Sequence, residues 1–114
     1  MNITFEGVWA DLRHRLRVGT EMKGWSRDKE DTGLRFKIVD VGADSITIVS
    51  SPMPDKPKPT ERRIGRTDFA RVYSSWKGYC GYKITRADMT KLSQNTSYIF
   101  SILRWRETSE SVSS

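Results

Sequence analysis

The chain has 114 residues, 36% apolar and 30% charged, with a formal net charge of +6. That is one domain with one modest core, which excludes a two-domain enzyme and a chain too polar to fold. The single cysteine, Cys80, cannot close a disulfide within the chain or build a cysteine zinc site, and no apolar run reaches the length of a membrane span.

In chain order, Met1-Asn2-Ile3-Thr4-Phe5-Glu6 lacks the basic-then-apolar plan of a signal peptide, so a complete cytoplasmic protein with no membrane partner is expected. Phe5, Val8, Trp9, Leu12 and Leu16 recur at helical spacing, with Asn2 or Thr4 as N-cap and Gly19 as the stop. Gly19 to Gly33 is charged and turn-forming and reads as a loop anchored by Met22 and Trp25. Leu34 to Val41 alternates as a strand, and Ser45 to Ser50 is a second β-branched run. Gly42-Ala43-Asp44 makes the two a hairpin.

Pro52, Pro54, Pro57 and Pro59 predict an extended connection, after which Glu61 to Arg66 returns as a third strand with Ile64 inward. Thr67 then caps a helix with the stripe Phe69, Val72, Tyr73 and Trp76, ending at Gly78. Thr85, with Asp88 at the capping-box position, opens a short helix carrying Met89 and Leu92. Ser93 or Thr96 opens the last helix, with Ile99, Ile102 and Leu103 on one face and Tyr98 and Trp105 beside it. The Ser-rich end has nothing to bury, so residues 1–106 are expected as a single domain and 107–114 as a disordered tail. The expected class is α+β: an N-terminal helix, a small antiparallel sheet of a hairpin or three strands, and a C-terminal three-helix part of helix-turn-helix type.

The excess positive charge falls entirely between Arg62 and Arg106, where ten Lys or Arg meet only Asp68 and Asp88. Concentrated charge of this kind is a footprint for a polyanion. Phe69, Tyr73, Trp76, Tyr79, Tyr82, Tyr98, Phe100 and Trp105 are interleaved with it, as nucleic-acid contact requires. Candidate phosphate contacts are Arg62, Arg63, Arg66, Arg71, Lys77, Lys83, Arg86, Lys91, Arg104 and Arg106, the first three resembling a flexible arm. Gln94, Asn95, Thr96, Ser97 and Tyr98, where the last helix opens, are candidate contacts to bases and phosphates. Ser93 and Thr96 read equally as ordinary N-caps.

Enzyme chemistry finds little support. His14, the one histidine, stands among Arg13, Arg15 and Arg17 on the solvated side of the first helix. Asp40 and Glu61 are the carboxylates with a chance of meeting at a nuclease metal, and Cys80 is a small apolar residue or a thiol activated by Lys77 and Lys83. No phosphate loop, zinc spacing, catalytic triad or dinucleotide fingerprint is present, so no catalytic residue, metal or cofactor is expected.

The expected function is non-enzymatic binding of nucleic acid, duplex DNA first. The alternatives are a protein-interaction module or inhibitor that docks an acidic partner, and a small metal-dependent nuclease. Trp9, Trp25 and the hairpin edge are where a homodimer contact is expected.

The stretch from Arg63-Ile64 through Phe69, Trp76 and Arg86 to Asn95-Thr96-Ser97-Tyr98-Ile99 with Ile102-Leu103 resembles the small basic helical modules that accompany restriction-type and other mobile-element proteins. The resemblance covers the C-terminal part of the chain and implies a DNA-associated, binding role. In size and composition the whole chain also resembles proteins of mobile gene cassettes.

Overall fold

The computed structural model describes residues 4–27, 31–51, 58–93 and 95–112. Helix α1 (Phe5–Arg15) is capped by Thr4, whose hydroxyl accepts from the Gly7 N–H at 3.3 Å, and it buries Val8, Trp9 and Leu12. Glu6 in its first turn and Arg13 and Arg15 in its last complement the helix dipole. The helix ends where Leu16 turns extended, three residues before the expected stop. Gly19 instead sits in a turn with φ +95°, and its N–H donates to the Ile38 carbonyl at 2.7 Å.

The segment expected as a loop begins as a strand, β1 (Glu21–Lys23), which pairs antiparallel with β2 (Arg35–Val41). Three residues with one apolar member, Met22, carry no readable period; the partner's register makes them a strand. β2 continues to β3 (Ser45–Ser50) and β3 to β4 (Thr60–Gly65), all antiparallel and in sequence order. The sheet therefore has four strands, not two or three. The proline connection falls on residues 52–57, outside the described residues.

Met22, Phe36, Ile38, Ile46, Ile48 and Ile64 line the inner face. The slip in register between Ile38 and Asp40 is a bulge that inserts Val39, so Ile38 opposes Ile48 and Val41 opposes Ile46 on the same face. The outer face is charged, with Glu21 opposite Lys37 and Arg63 opposite Thr47.

Beside β2, the Arg35 guanidinium donates to both carboxylate oxygens of Asp31, each at 2.8 Å. This fork, with the Gly33 N–H added, holds the Asp31 carboxyl well below the usual carboxylate range. A depressed folded-state pKa contributes stability above the unfolded value, and that contribution disappears as pH falls through the folded value. At about pH 3, where an ordinary aspartate is mostly protonated, Asp31 is expected to hold its charge to a greater degree. An NMR carboxyl titration should show this, with R35A moving the midpoint back up; an unchanged midpoint would dismiss the fork as its cause.

β4 runs directly into α2 (Arg66–Cys80), with Gly65 at the N-cap, so Thr67 lies inside the first turn rather than capping it. Nor does α2 stop at Gly78. A Cβ there would lie 2.6 Å from Ile84 Cδ1, so this glycine is a seat for Ile84 and not a terminus. Helix α3 (Arg86–Thr90) is capped as expected: Thr85 accepts from the Asp88 N–H at 3.2 Å and its hydroxyl donates to the Asp88 carboxylate at 3.0 Å.

Helix α4 (Thr96–Val112) runs past the expected end at Arg106. Its residues Ile99, Phe100, Ser101, Ile102 and Leu103 are all buried in succession. A helix buried all round is central. Phe100 stacks on Tyr79 at 4.4 Å, Tyr98 meets Phe36 edge-on at 5.2 Å, and Ser101 Oγ receives the Trp25 N–H at 3.0 Å. Glu107 accepts the Trp76 indole N–H at 2.7 Å, and Asp11 receives Arg106 at 2.7 Å and Arg15 at 3.3 Å, tying α1 to α4.

Trp9 is buried against Phe69 and its indole donates to the Ala43 carbonyl at 3.1 Å. It belongs to the core, not to the homodimer contact expected there. Trp25 is half-buried edge-on against Trp76. No helix of the described residues is long and apolar enough to cross a membrane.

Candidate functional site

The six arginines of the basic segment outside α2 or at its first residue are largely committed to internal partners. Strand alternation sends Arg62 to the inner face opposite Ile48, its guanidinium 5.8 Å from the Tyr98 ring centre. Its Nε is buried with no hydrogen-bond partner among the described residues. Arg63 points to the outer face and donates to Ser45 Oγ at 3.0 Å. Arg66 pairs with Glu6 and lies over Phe5. These three belong to a sheet strand and a helix start, so the flexible arm is corrected to ordered, divergent positions.

Farther on, Arg86 donates to Ser97 Oγ at 2.8 Å, and Arg104 lies over the Trp25 ring at 5.2 Å. The Arg106 side chain is only 11% exposed, held by Asp11.

The opening of α4 also faces inward. Thr96 is 2% exposed, and its hydroxyl donates to the Met89 and Ser93 carbonyls at 3.2 and 2.7 Å. Ser97 accepts from Arg86, and Tyr98 is held between Phe36 and Arg62. Asn95 donates to Asp68 at 3.3 Å, as does Ser93 at 3.0 Å, stitching the α3–α4 turn onto α2. Thr96 is therefore corrected from a contact to a structural residue, because the turn needs its hydroxyl. Gln94 lies outside the described residues.

Besides Arg63, which is exposed on the outer sheet face, a smaller set of the expected cations remains facing solvent. Thr67, Arg71, Ser74 and Lys77 are the exposed positions along the middle of α2, and Lys83 and Lys91 are exposed on the loops that flank α3. Among the described residues, the ion pairs join Asp11 to Arg15 and Arg106, Asp31 to Arg35, and Glu6 to Arg66; Arg71, Lys77, Lys83 and Lys91 take part in none. Arg71 and Lys91 line one groove of about 370 Å³ with Asp68, Ser93 and Asn95. Of the two carboxylates of the segment, Asp68 is half-buried and accepts from Ser93 and Asn95, whereas Asp88 is exposed and accepts from Thr85.

Arg71 and Lys77 look like any other cation of the segment in the sequence. The signal that separates them is helical spacing, since they fall with Thr67 and Ser74 on the side of α2 away from Phe69, Val72 and Trp76.

The groups considered for catalysis are dispersed. Asp40 opposes Thr47, which opposes Arg63, whereas Glu61 opposes Val49 one row away. With β3 between them and two residues of offset, the two carboxylates stand roughly 12 Å apart at the backbone, too far to share one metal ion. No group of three His, Cys, Asp or Glu among the described residues is placed to hold a metal. His14 is exposed on α1. Cys80 is exposed, against the expectation of a small buried apolar residue, and partial desolvation and then the Glu107 carboxylate push its thiol up, against the alternative of activation by Lys77 and Lys83.

Comparison with protein-family models, with curated proteins and with solved structures finds no match to this chain.

Proposed function

We propose that this chain binds nucleic acid, gripping phosphates along the exposed side of α2 and the loops around α3. One observation carries the reading. Of the segment's two carboxylates Asp68 is half-buried against Ser93 and Asn95 and Asp88 alone is exposed, while Arg71, Lys77, Lys83 and Lys91 stand exposed outside every ion pair among the described residues. Their charge is therefore available to an external polyanion.

The α3–α4 pair has the order of a helix-turn-helix, a short helix, a turn and a longer helix. Because the first turn of α4 is occupied by internal hydrogen bonds, the contact is placed on phosphates and not on base edges in a groove. Duplex DNA remains the first polymer to test.

Four phosphate contacts predict a salt slope of about −3.6 on duplex DNA, or an affinity loss on the order of 100-fold between about 50 and 200 mM salt. Fluorescence anisotropy with labelled duplex DNA, single-stranded DNA and RNA reads this directly. Micromolar binding with that slope supports the proposal. Absence of binding at the lower salt refutes it and leaves an acidic protein surface as the partner to seek.

A further inference from the structure

The C-terminus of α2 places glycine and tyrosine in an unexpected order. The Tyr82 N–H donates to the Tyr79 carbonyl at 3.1 Å and the Lys83 N–H to the Gly78 carbonyl at 2.8 Å. These are the two bonds of a Schellman ending, in which the residue after the cap takes the left-handed conformation and is usually glycine. Here Gly81 is the cap, with φ −86°, a conformation open to any residue, and Tyr82 takes φ +63°. It is the only non-glycine residue with positive φ among the described residues. Glycine comes one position too early to relieve the backbone, and a large aromatic side chain carries the left-handed strain.

Burial does not offset that strain, because Tyr82 is 68% exposed. What the ring does have is a backing. The Arg27 guanidinium lies 4.2 Å from its centre and 4.6 Å from that of Tyr79, and it donates to the Tyr79 and Ile84 carbonyls at 3.0 and 3.1 Å. Arg27 is thus oriented by two backbone carbonyls and a second ring, so anchoring it does not require Tyr82. The backbone would be better served by glycine, and the core gains almost nothing from the ring.

An exposed, rigid aromatic face with a cation behind it is a surface for a flat π system, and the exposed Lys77 and Lys83 on the same segment suit an anion attached to that system. We infer that Tyr82, backed by Arg27, is a stacking platform for an unpaired nucleobase of a strand whose phosphates lie on Lys77 and Lys83. This rests on the nucleic-acid reading and adds to it that a strand with free bases is held more tightly than the same sequence fully paired.

The test uses the full chain with a single strand carrying 2-aminopurine and with its paired duplex. Wild-type protein should quench the 2-aminopurine and bind the single strand more tightly. Y82G should keep or raise the melting temperature while weakening single-strand binding about tenfold or more, with an unchanged salt slope. Y82F should bind within about twofold of wild type, since the ring face is kept.

If Y82G binds the single strand as wild type does, the platform is refuted while the phosphate-binding reading stands. A fall of several degrees in the Y82G melting temperature also removes it, by assigning the ring to the fold. If wild type binds neither polymer, the phosphate reading itself has failed and the platform falls with it.

Discussion

Replacing Arg71, Lys77, Lys83 and Lys91 together by glutamine lowers the affinity for labelled duplex DNA by more than about 1,000-fold at about 50 mM salt and flattens the salt slope by about 3.6. The slope is the sharper readout, because every phosphate that the variant no longer neutralises keeps its condensed counterions, whatever the sequence bound. Four unit charges are removed, taking the formal net charge from +6 to +2. All four side chains are exposed, so the fold should be unaffected and the melting temperature nearly unchanged.

The charge-matched control replaces Lys23, Lys37 and Arg63, which are exposed on the sheet, and Lys58, which is exposed ahead of β4. It also leaves +2 but keeps the α2 face intact, and it should retain most of the affinity and slope. Equal losses in the two quadruple variants would show that net charge, and not this face, governs binding.

The second large effect is on stability. F100A should lower the unfolding free energy by about 4 kcal/mol, out of about 5–15 kcal/mol for a domain of this size. Phe100 is 0% exposed, stacked on Tyr79 at 4.4 Å and 5.5 Å from Trp76, so its removal opens a cavity where α4 meets α2. The melting temperature should fall on the order of 15 °C, with an unchanged denaturant slope if folding stays two-state. F100L, which keeps most of the volume, should cost about 1.5 kcal/mol or less. A loss below about 1 kcal/mol for F100A would mean that α4 is not the central helix.

Several elements are legible in the sequence because their signals are local. Thr4 before a 3.6-residue stripe, Thr85 three residues before Asp88, and two β-branched runs around Gly42-Ala43-Asp44 each specify backbone geometry within a few residues. Ile64 points inward for the same reason, since strand alternation needs only its neighbours. β1 escapes such a reading because Met22 alone makes no pattern, and its pairing with Phe36 is a long-range choice. Gly78 resembles a terminus because a glycine required by a close neighbour, Ile84, looks in sequence like one required by a turn.

The candidate interface divides in the same way. Charge composition locates a basic segment, but composition carries no direction. Arg66 and Arg106 look like Arg71 and Lys91 in the sequence, yet Glu6 and Asp11, far away in the chain, engage the first two and leave the others exposed. Thr96 meets the description of a base or phosphate contact until the Met89 and Ser93 carbonyls claim its hydroxyl. Neighbours along the chain thus suffice for the α+β class, for most helix and strand positions and for the location of the excess charge. Folding is needed to settle which cations remain exposed, which face carries them, and that Tyr82 stands strained and solvent-facing over Arg27, because pairing and burial are set by residues that meet only when the chain is packed.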